Sequence, residues 1–517
     1  MKRKLAAALV LVLILTGCVK SKFPETVGTE TVVTTSEEET EQEDEVEEVE
    51  ESDSVSETTE ETKKTYVSNV KDGTFGKTLL DLDSVVMVHV NNTGYFIDNE
   101  ELYTVYWEMP LDHDDPDKGT FEVRMVVRYF GDEYPNVFSC CGYDIYEDYI
   151  RDGATNALMM DYRFNYFEAE YRFYGKSIPE GFEDSKADYV QYLNCDEAAN
   201  DFYEMVTELK TVTSGKWTMC GGSKGGMLTV YQEHVYPDTA DLYIAEVSPL
   251  NIGECNTEFY ENLYTKIGDL RFGPQKAQEY RDMILALQVE AIRNRDTFQE
   301  KYWEKAQRNN INYTPKLTKE LVYDMAVLDI GIMFWQYEDE NILEAYKILY
   351  GDIGSDYFED ELYELLITVS APNVYEADDV FVIQCCMEEG YNAYDFSYLR
   401  DALEKEGLSD KLYVTEDTEK YLYTYMVSDE ILSKFTYDDH FQKGMMDAAE
   451  NGTKPLIIIN GNSDVWAPYE LTETDNPNTY IFNVAEGAHL TDFSDLSSGD
   501  RSRYNSILSQ YGGLDPQ

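Results

Sequence analysis

Gly221-Gly222-Ser223-Lys224-Gly225 sets a serine between glycines where an apolar run, Lys216 to Cys220, gives way to a helix-patterned run, Gly226 to Val235. A serine hydroxyl is a weak nucleophile unless a base takes its proton. A tight strand-to-helix turn presents it to such a base, beside backbone N–H donors, and the flanking glycines keep side chains out of the turn. The chemistry that this layout serves is acyl transfer through a covalent intermediate.

The chain has five histidines. In the hydrolase order of serine, acid and histidine, the base follows both partners. His89, His113 and His234 lie too early or too close to the serine, and His440 precedes the best acid. His489 remains, after a strand-like segment, Tyr480 to Val484, and a short turn, Ala485 to Ala488. The acid is Asp464, which ends the run Lys454 to Ser463. Catalytic groups gather at the carboxyl ends of parallel strands, and there a carboxylate fixes the imidazole tautomer. Taken singly, Asp464 also fits a turn and His489 a surface loop; the elbow, the chain order and the spacing together favour a Ser223-His489-Asp464 triad.

An oxyanion hole needs two donors. The Lys224 N–H is one, and the second comes from the loop after the third strand of such a sheet. Asn136 to Cys141 has the pattern of that strand, which makes the Tyr143 N–H the candidate, while Gly142 equally fits a glycine that merely ends a strand.

Several segments together carry a family resemblance over nearly the whole chain beyond about residue 100. They are Met109 to Asp114, Glu170 to Pro179, Lys216-Trp217 leading into Gly222 to Met227, Gln384 to Tyr391 with Tyr394-Asp395, and Gly461 to Trp466. The chain resembles the secreted bacterial tripeptidyl aminopeptidases, prolyl-peptidase-like serine peptidases related to the lysosomal prolyl carboxypeptidase family. The resemblance implies an α/β-hydrolase fold and the release of short peptides from the amino terminus of oligopeptides. It makes Gln384 to Tyr391 the lid segment and Gly461 to Trp466 the acid loop, with Val465 where the family usually has proline. An aminopeptidase must hold a cationic amine, and Glu388 and Glu389 in the lid segment are the candidates, although a solvated helix face explains two adjacent glutamates as well.

The amino-terminal residues have the pattern of an address. Lys2-Arg3-Lys4 and the apolar stretch Leu5 to Leu15 form a signal peptide, and Leu15-Thr16-Gly17-Cys18 predicts cleavage before Cys18 and acylation of its thiol. The expected location is the outer face of the membrane, held by lipid alone. Residues 19–65 are rich in Glu, Thr, Ser and Asp, cannot bury enough apolar surface to fold, and predict an extended tether reaching on the order of 40 Å.

The formal charge is −61, yet only 15 of the 102 acidic residues lie between Glu37 and Glu61, so the folded part is strongly acidic too. That excludes nucleic acid as a partner, since phosphate contacts need Lys and Arg clusters. Beyond Cys18, seven cysteines remain, so at least one thiol is free. The sequence has no Cys-x-x-Cys pair or His-rich spacing of a zinc site and no phosphate loop elsewhere, so no cofactor is expected.

Strand and helix patterns alternate from Tyr103 to Leu250 and return after Pro455. The expected organisation is an α/β-hydrolase core, 66–250 and 442–517, with a mainly helical cap, 251–441, inserted between nucleophile and acid. Pro274 to Glu300 and Thr318 to Leu349 have the pattern of its helices, and Phe334-Trp335-Gln336-Tyr337 that of core. A serine aminopeptidase acting on oligopeptides fits best. An esterase or lipase-like hydrolase on the same fold, or a surface lipoprotein that captures solutes without turnover, stays open, because fold and triad do not choose the acyl group.

Overall fold

The central strands are apolar almost without interruption, as Leu456-Ile457-Ile458-Ile459 illustrates with four residues at 0% exposure. Such runs belong to parallel strands covered on both faces. The computed structural model describes residues 70–91, 100–151, 156–337 and 340–517. The signal peptide, Cys18 and the whole of the acidic tether region lie outside the described residues.

Among the described residues one sheet holds nine strands: β1 (Val85–Val90), β2 (Glu101–Pro110), β3 (Thr120–Tyr129), β4 (Asn136–Cys140), β5 (Asn165–Ala169), β6 (Trp217–Gly222), β7 (Leu242–Glu246), β8 (Leu456–Gly461) and β9 (Thr479–Val484). Their spatial order is β1-β2-β3-β5-β4-β6-β7-β8-β9. The pairings β1–β2, β2–β3 and β3–β5 are antiparallel. From β5 to β9 every pairing is parallel. Successive side chains on a strand point to opposite faces, and the two cores divide accordingly. Phe138, Tyr243, Ala245 and Ile458 face one core, whereas Val137, Leu242, Ile244 and Ile457 face the other, beneath Tyr504, Ile507 and Leu508 of the C-terminal helix.

Three helices matter for the site: α1 (Cys195–Val212), α2 (Lys224–Val235) and α3 (His440–Asn451). α1 starts at a capped end, where the Asn194 side chain accepts from the Glu197 N–H. α3 packs on α2, with the Phe441 ring 4.9 Å from that of Tyr231. The chain leaves the cap for the core side through α3, which begins at His440.

Two of the segments shared with the resembled family, Met109 to Asp114 and Glu170 to Pro179, build polar staples. Arg172 is buried and forks onto Asp201 of α1, Nε to Oδ2 and a terminal nitrogen to Oδ1, both at 2.8 Å. His113 Nε2 lies 2.8 Å from the same Asp201. Burial alone would lower the His113 pKa, but hydrogen bonds to Asp201 and Glu204 hold it up at about 9. Glu170 accepts from Arg124 at 2.7 Å and from Ser177 Oγ at 2.7 Å. A buried charge needs such partners, and together they fix the chain after β2 and β5 against α1.

Between β7 and β8 the chain forms the helical cap of an α/β hydrolase. Its helices break more often than the sequence pattern suggests. The run from Pro274 divides into Pro274–Arg293 and Arg295–Arg308, because the Asn294 side chain donates to the Glu290 carbonyl at 3.0 Å and so competes with the helix ladder. The run from Thr318 divides into Lys319–Leu328 and Ile330–Gln336, with Asp329 at the break. A two-residue parallel pairing of Cys255–Asn256 with Tyr391–Asn392 adds a small second sheet. Among the described residues no helix is long and apolar enough to cross a membrane, and all seven described cysteines are free thiols.

Candidate active site

Ser223 sits between β6 and α2 at φ 51, ψ −123, a region that residues with a side chain rarely occupy. Such a backbone costs of order 1–3 kcal/mol and persists only where its surroundings over-determine it. They do so by close approach. A side chain at Gly225 would run into the Cys140 carbonyl oxygen, and one at Gly226 into Ser248 Oγ. The Ser223 N–H donates to the Glu246 carbonyl of β7 at 2.8 Å.

The structure brings the three residues expected from chain order together. His489 Nε2 lies 3.0 Å from Ser223 Oγ, and His489 Nδ1 lies 2.7 Å from Asp464 Oδ2. A carboxylate only accepts, so Nδ1 carries the proton and Nε2 is left to accept from the serine. Asp464 is fully buried and His489 is 5% exposed. All three lie past the carboxyl ends of their strands, β6, β8 and β9.

The other histidines stand elsewhere. His113 is in the staple described above, His234 Nδ1 faces Asp447 at 3.3 Å, His440 begins α3, and His89 lies exposed on β1. The loop after β4 abuts the elbow, since a side chain at Gly142 would meet Gly225 N at 2.9 Å and Lys224 Cβ at 3.0 Å. Lys224 N–H is the first amide of α2 and has no helical acceptor. Lys224 and Tyr143 thus flank the serine.

The two lid glutamates are placed differently from the expectation. After a short helix, Val380–Gln384, the chain forms a π turn, Cys385–Glu389, and both carboxylates point inward, Glu388 at 2% and Glu389 at 3% exposure. Glu389 pairs with Lys224 Nζ at 2.8 Å, and Gln384 accepts from the same ammonium. Rings of Tyr171, Tyr174 and Phe381 surround that cation, the first with its centroid 4.6 Å away. Glu388 accepts from the Cys195 N–H at 2.6 Å, and burial pushes its pKa up to about 7. Neither is a solvated face, and neither lines the cavity beside the triad. The wider π turn, which no residue spacing announces, is the physical reason.

That cavity measures about 230 Å³. Its wall includes Tyr143, Gln336, Asp329 and Trp466, the last only two residues beyond Asp464. Phe334, Trp335 and Tyr337 are buried in the core, as expected, while Gln336 and one side of Tyr337 also line the cavity. Two acids escaped sequence reasoning. Asp329 sits at the helix break, accepting from Tyr375 Oη and from Ser370 Oγ, the latter at 3.0 Å. Burial pushes its pKa up to about 6, against those hydrogen bonds. Glu470 is buried, and burial and the nearby Asp464 charge push its pKa well up. The only sequence signal for either is a carboxylate inside an apolar pattern.

A family model described as PS-10 peptidase S37 matches residues 77–346, more than half the chain and including Ser223. The chain belongs to the PS-10 peptidase S37 family. This is a family of serine peptidases, and the resemblance to tripeptidyl aminopeptidases stands. A curated relative, the prolyl tri/tetrapeptidyl aminopeptidase of Streptomyces mobaraensis, is 24% identical over 420 residues, 80% of each chain. Among solved structures, the α/β hydrolase GrgF from Penicillium sp. sh18 is 12% identical, with a TM-score of 0.34, over 80% of this chain and 99% of that one. A prolyl endopeptidase structure is 16% identical, with a TM-score of 0.21, over 31% of this chain and 23% of that one. Asp464 and His489 of this S37 chain lie beyond the residues that the family model matches.

Gly225→Ala tests the close approach at the elbow. Overpacking of this kind costs about 1–3 kcal/mol, so chemical denaturation should show a lower midpoint with unchanged slope. A variant as stable as the parent would mean that β4 and α2 do not meet there.

Proposed function

We propose that this S37 peptidase is an aminopeptidase that releases short peptides, tripeptides in the first instance, from the free amino terminus of oligopeptides. Ser223 attacks the scissile carbonyl, His489 takes the proton and returns it to the leaving amine, and Asp464 holds the ring. The N–H groups of Lys224 and Tyr143 receive the developing oxyanion.

The observation that carries the exopeptidase reading is the cavity. It is walled by residues of the elbow side, the acid loop and the cap, and at about 230 Å³ it is smaller than most ligand pockets. Its wall also holds Asp329, an acid beside two hydroxyl donors and, among the described residues, without an ion-pair partner. Asp329 takes the place assigned from sequence to Glu388 and Glu389 as the partner of the substrate amine. A charge-assisted contact of this kind is stronger than a neutral one, and a capped amine forfeits it.

The chemistry fixes a pH dependence. Asp329 must be ionised, which requires pH above about 6, and the amine must be protonated, which fails above its pKa of about 8. For free peptides kcat/KM should rise through pH 6 and fall past pH 8. Asp329→Asn should raise KM for free peptides at least tenfold, while N-acetylated peptides are poor substrates of parent and variant alike. Because the folded-state pKa of Asp329 exceeds its unfolded value, the group lowers stability as pH rises past about 4 and does so fully above about 6. Asp329→Asn should therefore melt higher than the parent at pH 7.5 and not at pH 4. Equal kcat/KM for free and acetylated peptides would sink the aminopeptidase reading.

A location on the outer face of the membrane follows from the signal peptide and Cys18. In cell fractionation Cys18→Ser should leave the membrane fraction or stay unprocessed; processed variant retained on the membrane would contradict lipid anchoring.

A further inference from the structure

Away from the serine, three segments distant in sequence bring a thiol, an imidazole and a carboxylate to one point, with a second carboxylate beside the imidazole. Cys195 and Asp196 open α1, Glu388 belongs to the π turn of the cap, and His440 opens α3. Cys195 Sγ, Glu388 Oε2 and His440 Nε2 all lie within 4.8 Å of one another. The separations are 3.2 Å from Sγ to Oε2, 3.5 Å from Sγ to Nε2 and 3.6 Å from Nε2 to Oε2. Asp196 Oδ2 stands 3.4 Å from the same Nε2.

These are the distances at which ligands surround a small tetrahedral ion. Zinc–sulfur bonds of about 2.3 Å and zinc–nitrogen bonds of about 2.0–2.1 Å at the tetrahedral angle set sulfur and nitrogen about 3.5 Å apart, and nitrogen and carboxylate oxygen about 3.3 Å apart. A thiol hydrogen bond explains the Sγ–Oε2 pair by itself, but not the convergence of thiol, carboxylate and imidazole. The outer contacts suit ligation too. Glu388 Oε1 accepts from the Cys195 N–H at 2.6 Å, which leaves Oε2 turned to the centre. Asp196 Oδ1 accepts from Tyr231 Oη, while its Oδ2 already faces His440 Nε2 at 3.4 Å, one short turn from the centre. His440 Nδ1 faces Asp438 Oδ1 at 3.4 Å, the carboxylate–histidine arrangement that orients metal-binding rings. Cys195 and Glu388 are buried while the His440 side chain is 37% exposed, so an ion has a way in from solvent.

We propose that Cys195, Glu388, His440 and Asp196 form a structural zinc site that fastens the cap to the core. A thiolate with an imidazole selects zinc over the hard cations calcium and magnesium. On binding, the Cys195 thiol gives up its proton to solvent and no electron is transferred. The ion would clamp the turn that also carries Glu389, and so hold that carboxylate against Lys224 beside the nucleophile. The donors come from positions 195, 196, 388 and 440, which is why no ligand spacing marks them in the sequence.

The test uses the full chain, stripped with a chelator and titrated with Zn²⁺ and, separately, Co²⁺. One equivalent of Co²⁺ should give a thiolate-to-metal charge-transfer band and intense tetrahedral ligand-field bands, which Zn²⁺ then removes. Zn²⁺ should raise Tm, since an ion bound only by the folded state stabilises it. Cys195→Ser should abolish the charge-transfer band, and His440→Ala, at a half-exposed position that folding tolerates, should weaken Co²⁺ affinity at least tenfold. Absence of stoichiometric uptake by the parent, a charge-transfer band that survives Cys195→Ser, or unchanged affinity in His440→Ala would each overturn the site. The readout is metal uptake, so it is independent of whether the peptidase reading holds.

Discussion

The left-handed backbone of Ser223 is the constraint on which the rest of the site depends. At φ 51 the residue projects its hydroxyl toward His489, but that conformation holds only while β4, β6 and α2 stay pressed together. Gly225 and Gly226 permit the approach, and the Ser223 N–H bond to β7 locks the turn from the other side. Lys224 then leaves the elbow in the opposite sense, burying an ammonium among tyrosines and pairing it with Glu389 of the cap. A buried ion pair of this kind is weak evidence of net stability, yet removing one partner is costly. Its consequence here is positional, because the residue after the nucleophile is fixed by the cap.

The same coupling recurs at the other two loops. The His489 N–H donates to the Gln336 carbonyl at 3.1 Å, at the end of a cap helix. Asn262 of the cap donates to the Asp464 carbonyl at 3.3 Å. Each of the three loops at the carboxyl edge of the sheet is therefore held partly by the inserted cap. The insertion is a working part of the site rather than a cover over a finished one, and mutations in it should be felt in the geometry of the triad.

How much of this was legible in the sequence follows from the range of each interaction. Ser223, Asp464 and His489 could be found because each follows a short apolar strand and because chain order removes the competing histidines. The sheet was legible for the same reason, since buried parallel strands have a one-dimensional signature. Asp329 was not, because its role arises from a helix break and from hydroxyls of Ser370 and Tyr375, which lie far along the chain. Glu388 and Glu389 were visible as residues but assigned to the wrong neighbours, since adjacent positions on an ordinary helix diverge and only a π turn aims both inward at two different partners. The staple around Arg172 shows a further limit: Met109 to Asp114 and Glu170 to Pro179 carried the family resemblance as sequence, while their contacts are structural.

Intact mass measurement and peptide mapping after treatment with an organophosphonate serine probe test the central account most directly. The parent should take up one phosphonyl group per chain, mapped to Ser223, and His489→Ala should take up far less, because without the base the hydroxyl is not activated. Labelling at a different residue, or a parent that stays unmodified while folded, would contradict it.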